Sequence, residues 1–179
     1  QFQGKEYPGG KGKSNARGMH VPLIVNWPGH APAGKVNDDL VSSVDFLPTL
    51  CAAAGIESPD SLKLDGQSFL PQALGEKGSP REWLYSWYSK DGCAQAKTEF
   101  AMTTTRKLYR GGRYFDLTAD PFEESPPKRE KDLTGEEATT AKELREVMNQ
   151  FADARPAELS ETQPRPGKAG RGAVRQQRR

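Results

Sequence analysis

Apolar residues along the chain fall into two kinds of pattern. In the first, "VPLIVNW" over residues 21–27 is a nearly continuous apolar run, which predicts a strand with both faces of its sheet covered. A polar loop, "PGHAPAGKVNDDL", follows. Then "SSVDFLPTLCAAAGI" predicts a helix, with Ser43 or Asp45 as cap, Pro48 in the first turn and Gly55 as the stop. Strand, loop and helix in that order indicate an α/β unit. In "LDGQSFLPQALG", Asp65 and Gly66 predict a turn, and a short helix begins at Ser68 and ends near Gly75.

Past "EKGSP" the pattern changes. "REWLYSWY", "EFAMTTT", "KLYR" and "RYFDL" are rich in aromatic and β-branched residues, and Gly111 and Gly112 are placed to turn a hairpin between the last two. These predict a small antiparallel sheet. Ala141, Leu144, Met148 and Phe151 then recur at helical spacing behind a Thr134/Glu137 capping box. One amphipathic helix of this kind can cover one sheet face.

Composition changes this picture at one end. A hydrophobic content of 34% and a mean hydropathy of -0.81 are low for a packed globule, and the deficit concentrates in residues 155–179. That stretch has almost no large apolar side chain to offset its ordering entropy, and it is expected to be a disordered basic tail. Within it, residues 165–179 carry six Arg and Lys residues and no acid, which accounts for the formal charge of +2; residues 1–164 carry about -4. The folded part therefore offers no bulk electrostatic case for nucleic acid. Cys51 and Cys93 form no C-x-x-C pattern, so neither a zinc knuckle nor a disulfide framework is indicated. No apolar run of about 18 residues exists to span a membrane, and no basic-then-apolar leader opens the chain, which starts at Gln1.

"GGKGKS", residues 9–14, ends like a nucleotide-binding P-loop. That motif requires a glycine five residues before the Gly12-Lys13-Ser14 end, and position 7 is Tyr7. A strand is expected downstream where a P-loop has its helix, which also excludes phosphate cradling of that type.

Taken together, "GGKGKSNARGMHVPLIVNWPGHAPAGKVNDDLVSSVDFLPTLCAAAGI", "LDGQSFLPQALG" and "YFDLTADPFE" resemble, in order, the C-terminal half of formylglycine-dependent (arylsulfatase-like) sulfatases of the alkaline-phosphatase-like superfamily. The resemblance covers roughly residues 4 to 154. It implies an α/β fold: residues 1–78 as the end of a large α/β domain, 79–154 as a small antiparallel subdomain with a packing helix, and 155–179 as the tail. It also implies a sulfuric ester hydrolase as the full-length parent. The family lysine stands eleven residues before the proline of "V-P", which identifies Lys11 as the catalytic and substrate-binding residue, with Lys13 and His20 as secondary substrate-binding candidates. Arg17 stands where the family commonly has glutamate or alanine, and His20 where many members have arginine, although a subgroup reads "T-H-V-P".

The chemistry fits a lysine. A sulfate ester is anionic at every working pH, and an ammonium with a pKa of about 10.4 stays charged at neutrality. A fixed cation also stabilises charge growing on the leaving oxygen as the S–O bond breaks. Flanking glycines allow close backbone approach. The family's nucleophile and metal ligands are expected outside this segment. Neither cysteine fits the C-x-[PA]-x-R pattern from which formylglycine is made, and the aspartates and the Asp-Asn pair that hold calcium in the family have no counterpart here. The segment alone is expected to be inactive.

Other candidates have plainer readings. Asp38 and Asp39 are expected as solvated or capping acids, His30 as an exposed loop residue, and Trp83, Trp87 and Tyr88 as core rather than a sugar platform. The expected partners are a sulfate ester and the rest of the same polypeptide, and the family resemblance favours a periplasmic, extracellular or lysosomal setting. A non-catalytic paralogue or binding module, or a phosphodiesterase or phosphonate hydrolase of the same superfamily, is the alternative function.

Overall fold

The computed structural model describes residues 8–57, 62–89 and 97–154. Helix α1 (Ala16–Met19), α2 (Phe46–Ala53) and α3 (Leu70–Ala73) precede strands β1 (Leu84–Ser89), β2 (Lys97–Met102), β3 (Arg106–Tyr109), β4 (Arg113–Asp116) and β5 (Lys128–Arg129), and α4 (Gly135–Gln150) follows. The five strands form one antiparallel sheet in sequence order. Gly112, at φ 80°, closes the β3–β4 hairpin with its N–H on Tyr109 O at 2.9 Å, so the glycine pair serves as expected.

Both faces of this sheet are used. Ala101, Leu108 and Tyr114 face α4 and pack on Ala141, Leu144, Val147 and Met148, with Trp83, Tyr85 and Phe151 at the margin. Phe151 stacks on Tyr85 at 4.2 Å. On the other face Phe100, Tyr109 and Phe115 form a second cluster that includes Met19. Period-2 alternation sends successive side chains to opposite faces, which is why these strands read as apolar throughout. Each fully buried Leu or Met here contributes about 1.5–3 kcal/mol.

Three expectations need correction. The capping box on α4 does not form: Thr134 is the N-cap residue without a side-chain bond, because Glu137 instead takes Lys128 Nζ at 2.7 and 2.8 Å. One helical turn, α1, follows the Gly/Lys loop where a strand was expected. Residues 21–27 belong to no strand, and Val21, Leu23, Ile24 and Val25 are exposed. A strand must pair its backbone groups with a neighbour, and the described residues provide none there.

The helix over 46–53 is as expected. Gly55 at φ 67° stops it, and Ile56 N–H reaches back to Cys51 O at 2.9 Å. At its start Asp45 is buried and accepts from Ser42 N at 2.8 Å, Gln67 N at 2.9 Å and Arg81 Nε at 3.1 Å, with Arg81 Nη2 on its other oxygen. One carboxylate thus ties the helix start, the 65–67 turn and the approach to β1. The 155–179 tail and Cys93 lie outside the described residues.

Candidate active-site loop

The Gly/Lys segment folds back on itself. Lys13 N–H donates to Gly10 O at 2.8 Å and Gly18 N–H to Asn15 O at 2.9 Å. A Cβ on Gly10 would lie 2.0 Å from Arg17 O, and one on Gly18 would lie 2.1 Å from Lys13 O; backbone there leaves no room for any side chain. Gly12 sits at φ 78°, a conformation only glycine adopts without strain. Gly10 and Gly18 are therefore required by the loop's own closure.

This closure presents Lys11 and Lys13 to solvent on the turn. Neither has an ion-pair partner among the described residues. His20, at the end of α1, is exposed, and its backbone N–H bonds Ala16 O at 3.0 Å. His30 is exposed as expected and stacks on Trp27 at 4.3 Å. Tyr88, expected in the core, is instead 43% exposed; a Cβ on Gly12 would sit 3.7 Å from its hydroxyl. Its alternation along β1 carries it to the face that the loop covers.

The loop is seated on the sheet face opposite α4. Lys107, buried on β3, gives its ammonium to Ser14 O and to Glu123 Oε1, the latter at 2.7 Å. It also lies over the rings of Phe100 and Tyr109 at 4.0 and 4.7 Å. Tyr109 donates to Glu123 Oε2, and its hydroxyl is 3.0 Å from Ser14 Oγ. Asn15 Nδ2 donates to Phe122 O at 2.9 Å, and Arg17 pairs with Glu124 at 2.6 Å. Burial pulls the Lys107 ammonium below the ordinary lysine value against the opposing pull of Glu123, and Arg113 lowers it further. Burial and the Glu123 carboxylate both push the Tyr109 phenol up. A hollow of about 260 Å³ between loop and sheet is lined by Gly12, Lys13, Ser14, Tyr109, Arg113 and Glu123 among others, so two cations and one carboxylate border it.

The sequence placed Lys11, Lys13 and His20 within one segment, and the structure keeps all three exposed on or beside one loop. It missed Lys107, Tyr109 and Glu123. A signal existed: a lysine at an inward-facing position of an aromatic strand demands a buried counter-charge, and "DPFE" holds one. The described residues contain no group of three or more His, Cys, Asp or Glu that could hold a metal. Asp39 instead bonds Asn37 locally, at 2.7 and 3.0 Å. No helix among the described residues is long and apolar enough to cross a membrane.

Comparison with known proteins bears on this arrangement. Residues 14–151 match the family model described as N-sulphoglucosamine sulphohydrolase, C-terminal, a span that begins just past Lys11 and Lys13. The chain is 37% identical to arylsulfatase A of Homo sapiens over 116 residues, which is 63% of this chain and 22% of that protein. It is 27% identical to steryl-sulfatase of Mus musculus over 183 residues, 86% of this chain and 28% of that one. This chain thus spans only about a quarter of these relatives' length. Among solved structures, a 2-O GAG sulfatase superposes with a TM-score of 0.53 at 21% identity, over 74% of this chain and 30% of its own. That likeness gives the fold: the sheet and its covering helix are arranged as in that structure.

Proposed function

The chain belongs to the N-sulphoglucosamine sulphohydrolase C-terminal family of sulfatases, and from that premise we propose that it is the C-terminal part of a sulfuric ester hydrolase whose sulfate group is bound by Lys11. The observation that carries the reading is the loop itself: an exposed lysine, without an ion-pair partner among the described residues, on a turn that glycine packing closes and the sheet anchors. On this reading Lys11 pairs with a sulfate oxygen in the ground state. It offsets the charge that develops on the leaving oxygen as the S–O bond lengthens. Lys13 and His20, exposed in the same segment, would meet the remainder of the substrate.

Residues 1–78 would complete a larger α/β domain together with polypeptide outside this chain. The exposed apolar side chains of 21–27 and α2 support this, as does the small share of arylsulfatase A that the chain covers. Calcium and formylglycine do not fit the residues present: no metal-holding group of acids occurs among the described residues, and neither cysteine stands in C-x-[PA]-x-R. Both would be held by the rest of the same polypeptide, outside this segment.

The test is turnover of an aryl sulfate by the full-length protein that contains this chain. Lys11→Ala should lower kcat/KM by about 10²–10³ with the fold intact. Absence of turnover in the unsubstituted protein, or full activity in Lys11→Ala, would overturn the reading. Faster hydrolysis of an aryl phosphate diester than of the sulfate would reassign the reaction.

A further inference from the structure

Ser14 is held twice. Its carbonyl accepts from the Lys107 ammonium, and its hydroxyl meets the Tyr109 hydroxyl at 3.0 Å; both partners converge on Glu123. The Lys107 and Glu123 side chains are only 2% and 7% exposed. A buried ion pair is a poor way to stabilise a sheet face, because apolar side chains of the same volume do as well without the cost of desolvation. What an apolar pair cannot do is donate to a loop carbonyl. Glu123 also holds φ at 55°, in the left-handed region that a residue with a side chain occupies at a cost. That backbone turn aims its carboxylate inward at both partners.

We propose that Lys107, Glu123 and Tyr109 are positioning residues for Lys11: they fix the 10–19 loop to the sheet through Ser14, and so fix where the Lys11 ammonium stands. Lys11 precedes Ser14 by three residues within a turn closed by the bond from Lys13 N–H to Gly10 O, so a shift of Ser14 moves the whole turn. The second pair of anchors, Asn15 on Phe122 O and Arg17 on Glu124, seats the loop on the same 120–124 turn. The inference rests on the reading of Lys11 as the sulfate-binding group. It adds that the small sheet contributes to catalysis by placement, without touching substrate.

The experiment uses the full-length protein with two variants. Tyr109→Phe keeps the ring in the core and removes only the hydroxyl. Lys107→Met with Glu123→Gln replaces the charged pair by neutral side chains of similar size and leaves no buried charge unpaired. Hydrogen exchange should accelerate in peptides covering 10–19 and stay unchanged in α4. For the double variant kcat should fall about 10²-fold, the scale of an ångström-level misplacement, while KM changes by less than about threefold. In a Lys11→Ala background Tyr109→Phe should cost nothing further, since residues acting through one another are not additive. Three outcomes would overturn the proposal: unchanged exchange in the loop, accelerated exchange in the loop and α4 alike, or a full additional loss of kcat on top of Lys11→Ala. If the unsubstituted protein hydrolyses no sulfate ester, the sulfatase reading fails, and loop exchange in the two variants decides the anchoring by itself.

Discussion

In the sheet half of the molecule Leu108, Leu144 and Met148 are at most 1% exposed, whereas Ile24 and Val36 in the first half are 84% and 86% exposed. The apolar residues are of the same kinds; their partners are not. The sheet half contains both sides of its contacts, since β1 to β5 lie beside one another in chain order and α4 returns across one face. Antiparallel neighbours joined by short turns need little loop closure. The first half presents a segment at 21–27 with no strand beside it among the described residues, and a helix whose Phe46, Leu47 and Leu50 remain 43–66% exposed although Phe46 meets Phe69 edge-on at 6.1 Å. What organises it internally is polar: Asp45, buried, with Arg81 at only 8% side-chain exposure beside it. The sheet half is held largely by apolar packing, and the first half largely by polar bonds centred on Asp45 and Thr49.

Several substitutions would break or sharpen that contrast. The largest loss is expected from Asp45→Ala, which removes the acceptor for Ser42, Gln67 and Arg81 and strands a buried guanidinium, at a cost of about 3–5 kcal/mol. Hydrogen exchange should accelerate over 42–54 and 65–81 and remain slow in β2, β3 and α4; equal acceleration in the sheet would mean the halves are one cooperative unit. Leu144→Ala should cost about 2–5 kcal/mol in denaturant unfolding, through lost transfer energy and a cavity against the sheet. Breaking the exposed Lys128–Glu137 pair with Glu137→Ala should cost about 0.2–1 kcal/mol. Leu50→Ala, 66% exposed, should stay within about 0.5 kcal/mol when this chain is studied alone. A loss there as large as for Leu144→Ala would show that α2 is already covered.

Acid gives a smaller, local test. Asp120 accepts from Glu124 N and Ser125 N at 3.0 and 2.8 Å, and these bonds to the charged form hold its carboxyl below the ordinary aspartate value of 3.8. A depressed folded-state value contributes stability that is present above the unfolded value and is lost as pH falls through the folded one. Exchange protection over 120–125, the turn that seats the lysine loop, should therefore weaken as pH drops below about 3.8, and Asp120→Asn should remove that dependence.

The elements were legible where the pattern and its partner lie close together. The hairpin at Gly111 and Gly112, the α2 stop at Gly55 and the apolar stripe of α4 all follow from local rules, and all are present. The strand over 21–27 was read from a genuine apolar run, but a run states only that a segment requires covering. The Thr134 capping box failed because Lys128 competes for Glu137 across the β5–α4 approach, a contact that the motif's own four residues cannot reveal. At the site, the motif order placed Lys11 on a glycine loop, while the support under that loop went unread.

By itself, then, the sequence determined the local pattern: which residues form strands and helices in the second half, and where glycine is required. Spacing along the chain is sufficient for these, because turns, caps and periodicity act over a few residues. Only the tertiary structure decided that the face of the sheet away from α4 receives the lysine loop. It joins Ser14 to Tyr109 across 95 positions and Lys107 to Glu123 across 16. Such pairings depend on how the sheet's two faces are shared between helix and loop, and period-2 alternation marks both faces apolar without naming what covers either.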